Sequence, residues 1–181
     1  MSKTIAALDD TLIEWIAGQP VFFVATAPDG PGGHVNLSPK GHDTFRVIDP
    51  LRVAYLDLTG SGAETIAHLR QNGRITVMFT AFAGPPRIVR MHGRGTAHER
   101  GTDGYRSLAD RFDDLAGARA IIDVEIERLS TSCGYSVPFL EFKEERPTLI
   151  QWATRKTPEE LEAYRAEKNA TSIDGLPAFE G

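Results

Sequence analysis

Apolar residues recur along this chain at two spacings, every second position in many short runs and every third or fourth in a few others. Ile122, Val124 and Ile126 alternate with Asp123, Glu125 and Glu127, the period of two of a strand with one buried face, and predict a strand over 121–129. Val21 to Ala27 is short, apolar and β-branched and ends at Pro28-Asp29-Gly30-Pro31-Gly32-Gly33, a turn sequence. His34 to Ser38 then reads as the returning strand of that hairpin. Thr44 to Ile48 and Arg52 to Leu58 predict two strands hinged at Asp49-Pro50, and Thr76 to Ala81 and Arg87 to Ala97 another pair across Gly84-Pro85-Pro86. Helical spacing is rarer. Thr11-Leu12-Ile13-Glu14 is a capping-box pattern leading into Trp15 and Ile16, and Ser61 with Glu64 is a second, opening a helix through Ile66 and Leu69. Tyr105, Leu108, Ala109 and Phe112 share one face of a helix over 102–111, and Thr157-Pro158-Glu159-Glu160 starts a last one with proline at its first position. Many short strands with few helices between them predict a mainly β (α+β) fold, an antiparallel barrel with peripheral helices. The organisation expected is a barrel domain over 1–140 and a C-terminal helical extension over 141–181 packed on it.

Composition narrows the function classes. A chain of 181 residues, 41% hydrophobic, is long enough for one domain with a sizeable core. The net charge of −5 argues against a nucleic-acid surface but leaves room for one basic pocket. Cys133 stands alone, so neither an internal disulfide nor a cysteine-built zinc site is available; beside Gly134 it reads as a small buried residue. No apolar run approaches the roughly 20 residues of a membrane span, and Met1 to Asp10 lacks the apolar stretch of a signal peptide, which makes a cytoplasmic location the expectation. Phosphate-loop, dinucleotide-loop, zinc-protease and nucleophile-elbow motifs are absent, and the glycines from Gly30 to Gly33 join two strands. His92 and His98 stand an even number apart and could share a strand face, without a third ligand nearby in sequence.

In order along the chain come Phe22-Phe23-Val24-Ala25-Thr26-Ala27 with its glycine turn, Val35-Asn36-Leu37-Ser38-Pro39-Lys40-Gly41, Val53-Ala54-Tyr55-Leu56-Asp57-Leu58-Thr59-Gly60, and Glu64-Thr65-Ile66-Ala67-His68-Leu69. Asn72-Gly73-Arg74-Ile75-Thr76-Val77-Met78-Phe79 and Arg87-Ile88-Val89-Arg90-Met91-His92-Gly93 follow. This succession resembles the pyridoxamine 5'-phosphate oxidase-like split-barrel family, in particular its bacterial branch. The resemblance implies an antiparallel split β-barrel that holds FMN in a groove at a homodimer interface. It places Asn36, Leu37, Ser38 and Lys40 along the flavin ring, Leu58 and Thr59 against the ring and ribityl chain, Ser61 and Thr65 near the phosphate, and Arg87 and Arg90 among the cationic or polar contacts.

Two departures qualify the resemblance. Many flavin-binding members carry a basic pair where this chain has Glu64-Thr65; the Ser61–Glu64 spacing suits a helix cap better than a phosphate contact, and Ser61 fits either role. Lys40, Arg87 and Arg90 would then neutralise most of the phosphate charge. The C-terminal sequence Ile173-Asp174-Gly175-Leu176-Pro177-Ala178-Phe179-Glu180-Gly181 lacks the Arg-Leu-x-Pro segment of the vitamin-processing oxidases, which points away from pyridoxamine phosphate as substrate. The expected activity is therefore an FMN-dependent oxidoreductase or flavin reductase acting on another small substrate, with no acid or base marked out by sequence. His42 could carry protons but reads more simply as a solvated loop residue. The same fold could hold deazaflavin or haem, with His92 and His98 as the ligands to test, or bind a flavin without turnover. Trp152 reads as a pin for the C-terminal helix.

Overall fold

The computed structural model describes residues 3–179, so Met1 and Ser2 of the N-terminal reading and Glu180 and Gly181 of the C-terminal one lie outside the described residues. The chain runs β1 (Lys3–Ile5), α1 (Asp10–Ala17), β2 (Phe22–Thr26), β3 (Asn36–Lys40), β4 (Phe45–Asp49), β5 (Arg52–Leu58) and α2 (Glu64–Asn72). It continues through β6 (Arg74–Thr80), β7 (Ile88–Glu99), α3 (Asp103–Ala109), β8 (Ala118–Ser132), α4 (Thr148–Thr154) and α5 (Pro158–Lys168). The strands form one antiparallel eight-stranded sheet in the order β3-β2-β6-β7-β8-β5-β4, with β1 added to β8. The sheet curls but does not close, leaving β3 and β4 as its edges: the split barrel expected from the sequence.

Alternation explains the long strands. On β8, Ile122, Val124 and Ile126 point inward while Glu125 and Glu127 are exposed. β5 is covered on both faces, which is why it reads as a continuous apolar run. Val53 and Tyr55 enter the main core, and Ala54 and Leu56 pack with Leu108 of α3 in a smaller one. Phe22, Phe45, Tyr55 and Phe79 form an aromatic cluster with ring centroids 4.9–5.5 Å apart. β7 carries a bulge between His92 and Gly93. At Gly93 the backbone of Glu125 comes so close that no side chain would fit without displacing the neighbouring strand.

Several local expectations change. The first helix is capped by Asp9, whose carboxylate accepts the Leu12 N–H at 2.8 Å, two residues ahead of the Thr11–Glu14 box. α2 starts after Ala63 with no side-chain cap, so the Ser61–Glu64 box does not form. The box at Thr157 and Glu160 does form, with Pro158 at the head of α5. Cys133 is exposed, because β8 ends at Ser132 and the chain then crosses the surface without regular structure.

Candidate functional site

Position parity on β3 decides what faces inward. Asn36, Ser38 and Lys40 share the face turned toward the end of β5 and the start of α2, while Val35 and Leu37 point out and are 74% and 65% exposed. With Leu58, Ser61 and Thr65 these three residues line one cleft of about 320 Å³, which also takes in Gly60, Glu64 and Arg119. Six of the residues singled out from sequence thus meet in one place. Leu37 does not, because its position in the pleat puts it on the outer face. Thr59 does not line the cleft either. Its hydroxyl donates to the Gly117 carbonyl at 2.8 Å and accepts from Arg165 Nε at 2.9 Å. Arg87 lies over the ring of Trp15 and Arg90 bonds Ser132 Oγ at 3.0 Å, so within one protomer neither reaches the cleft.

Two polar networks meet at this cleft. In the first, Asp57, 1% exposed, carries a cation on each oxygen: Lys40 Nζ at 2.8 Å and Arg119 Nε at 2.7 Å. Burial alone would raise the Asp57 carboxyl, but the Arg119 guanidinium and the Lys40 ammonium outweigh it and hold the group down at about 2. Arg119 also donates to Asn169 Oδ1 at 2.8 Å and to the Gly62 carbonyl at 2.9 Å, and Asn169 donates to the Gly60 carbonyl at 3.0 Å. The loop leading into α2 is therefore clamped from below. In the second network, Ser38 Oγ donates to Asn36 Oδ1 at 3.0 Å, and Asn36 Nδ2 donates to Thr65 Oγ1 at 3.0 Å and Thr26 Oγ1 at 3.3 Å. Thr26 meets Nδ1 of the fully buried His68 at 2.9 Å, and burial keeps the His68 pKa low.

What this arrangement can do follows from its charges and donors. The first N–H groups of α2 have no side-chain cap, and the helix begins at the cleft, where its dipole favours an anion. Ser38, Ser61 and Thr65 add hydroxyls, and the Lys40–Asp57–Arg119 group carries one net positive charge. Glu64 brings a negative charge to the rim, where its carboxylate accepts the Ile173 N–H at 3.3 Å. The segment around Ile173 is itself fastened to the β2–β3 loop, since Asp174 accepts from His34 N at 2.8 Å and meets His34 Nδ1 at 2.6 Å. A phosphate monoester suits this donor set.

Sequence reading missed Asp57, Arg119 and Asn169. The signal was present: a lone acid inside the apolar run Val53–Leu58 and a lone base inside Ala118–Ile122 each need an opposite charge when buried, and antiparallel pairing supplies it. His92 and His98 lie six strand residues apart, about 20 Å at the usual rise, and have separate partners in Thr76 and Asp123. One chain therefore cannot bring both to one iron. Among the described residues, no group of three or more His, Cys, Asp or Glu could hold a metal ion, and no helix is long and apolar enough to cross a membrane.

Residues 8–133 match the family model described as pyridoxamine 5'-phosphate oxidase. The chain is 41% identical over 190 residues to the pyridoxamine 5'-phosphate oxidase family protein ustO of the fungus Aspergillus flavus, covering 96% of this chain and 76% of that protein. Among solved structures it is similar in fold to a HupZ variant of Group A Streptococcus, at 20% identity and a TM-score of 0.53 over 68% of this chain and 98% of that one. It is also similar to a FAD-binding protein of Mesorhizobium loti, at 18% identity and a TM-score of 0.50 over 72% of this chain and 96% of that one. At such identities the two structures establish a shared fold alone.

Proposed function

The chain belongs to the pyridoxamine 5'-phosphate oxidase family, and from that premise we propose that it is an FMN-dependent oxidoreductase or flavin reductase acting on a small substrate. The observation that carries this reading is the convergence of Asn36, Ser38, Lys40, Leu58, Ser61 and Thr65 on one cleft at the uncapped start of α2. The free N–H groups of α2 with Ser61 and Thr65 would hold the phosphate. Lys40, fixed by Asp57, would supply the cation that the Glu64-Thr65 departure removes. Asn36 is held by Ser38, Thr26 and Thr65, so its amide is already oriented toward whatever lies along β3. Bound there, the flavin would supply hydride or electron transfer, and the protein its orientation and field.

The cleft accommodates the phosphate end of such a cofactor better than its ring. The ring would extend outward along β3, where the protein is open. Val35, Leu37, Tyr135 and Phe139 are large apolar side chains left 65–83% exposed around that edge and the segment after β8. A second copy covering them would close the site, and a homodimer is part of the proposal; Arg87 and Arg90 would reach the cofactor only from that partner.

Titrating FMN into cofactor-free protein and following flavin fluorescence tests the site. Tight binding is expected, weakened at least tenfold (~1.4 kcal/mol) by Lys40→Met and unchanged by the remote Arg106→Ala. Failure to bind FMN at micromolar concentration sinks the reading. Binding of FAD, a deazaflavin or haem in its place would redirect it, and FMN binding without oxidation of any reduced nicotinamide would favour a non-catalytic flavin carrier.

A further inference from the structure

A second cavity, of about 640 Å³, lies beyond Arg119 between the barrel and the two C-terminal helices. Leu115, Ala153 and Leu161 give it apolar walls, and Arg100, Arg119, Lys156 and Arg165 line it with cations. Most of that charge is already matched. Arg119 is paired with Asp57, Arg100 with Asp114 at 3.0 Å, and the lining acid Glu99 with Arg70.

Arg165 differs. Half-buried on α5, it donates through Nε to Thr59 Oγ1 at 2.9 Å and through Nη2 to the Ala118 carbonyl at 3.4 Å, both neutral acceptors. Among the described residues no carboxylate is ion-paired with it. Glu162, one turn earlier and lining the same cavity, stands beyond ion-pair reach. Lys156 at the mouth rests over the ring of Trp152 at 5.3 Å. Burial, with Arg119 and Arg100 close by, pushes the Arg165 pKa down, the mark of a cation short of a counter-charge. A half-buried guanidinium hydrogen-bonded only to neutral acceptors, with Glu162 acting on it only from beyond ion-pair distance, gains from an anion that completes it. The apolar walls and volume fall in the range of small-ligand pockets.

We propose that this cavity is a ligand site distinct from the cofactor cleft, and that it binds a small organic carboxylate, with the acid group on Arg165 and the apolar body against Leu115, Ala153 and Leu161. A monoanion fits better than a dianion, because Glu162 stands nearby and Arg165 is the one lining arginine left without a carboxylate. The inference rests on the cavity and its charges and stands apart from the cofactor assignment.

Benzoate, with benzamide as its neutral counterpart, tests this by isothermal titration of the full chain. Benzoate is expected to bind with a Kd of about 1 mM or tighter (roughly −4 kcal/mol), and benzamide at least tenfold more weakly. Arg165→Met should weaken benzoate at least tenfold while retaining FMN affinity. Glu162→Gln should strengthen benzoate severalfold by removing a competing carboxylate, a result that loss of folding could not mimic. No benzoate binding by the wild-type protein, equal binding of benzoate and benzamide, or tighter binding absent in Glu162→Gln would overturn the proposal.

Discussion

At Asp57 a carboxylate with almost no access to water holds Lys40 on one side of the cleft floor and Arg119 on the other. Removing it by Asp57→Asn leaves two cations facing each other without compensation. The expected loss is about 3–5 kcal/mol of stability, read from urea unfolding. Acid should act in the same direction. The folded-state pKa of Asp57 is depressed to about 2 from an ordinary 3.8, so its contribution, ~2 kcal/mol, is complete at neutral pH. It is lost only as pH falls from about 4 through 2, and Asp57→Asn should flatten the acid limb of a stability profile in that window. This site was half legible in the sequence. The family resemblance named Asn36, Ser38 and Lys40, but it added Leu37, which the pleat of β3 turns outward. Nothing in the local sequence joined Asp57 to Arg119, which are 62 residues apart and meet only through the pairing of β5 with β8.

Elements differ in how plainly the sequence announces them. Most strands were legible because each buries one face, or in β5 both, and that pattern survives even where boundaries move by a residue or two; the three-residue β1 is too short to carry it. The start of α2 was not, because the Ser61–Glu64 spacing matches a capping box whereas the helix begins after Ala63 and Glu64 turns to the Ile173 backbone. The bulge at His92 and Gly93 was hidden as well, since it depends on the approach of Glu125 from the next strand. The C-terminal helices are the weakest part of the core. α5 buries none of its residues and α4 only Ala153, so they are held by the Trp152–Tyr164 ring contact at 5.0 Å and by Arg165 and Asn169. Hydrogen exchange should therefore open α4 and α5 well before β5, β7 and β8. Trp152→Ala should speed exchange in α5 by about tenfold or more without altering the central strands; uniform exchange across the chain would refute this ranking.

At the scale of the molecule, an open sheet leaves two edges, and this chain leaves large apolar residues exposed on the outer face of one of them and on the segment after β8. Val35 and Leu37 flank the cleft face of β3, and Tyr135, Phe139, Leu140 and Phe142 lie on the irregular segment that follows β8. Patches of that kind mark surfaces that another protein covers. The composition shows how many apolar residues there are, and only the topology shows which of them stay outside. The C-terminal extension that begins at residue 141, as far as it is described, we read as packing on the barrel and bracing the loop before α2 through Asn169. The proposal that joins these features is a flavin held in the cleft between β3 and α2 and closed over by a second copy. Its most direct test is size-exclusion chromatography of the protein after incubation with FMN, with absorbance and light scattering recorded together. Flavin absorbance at about 450 nm is expected to travel with a protein peak at twice the chain mass of 19.8 kDa. Flavin eluting only at the small-molecule volume, apart from the protein peak, would contradict it.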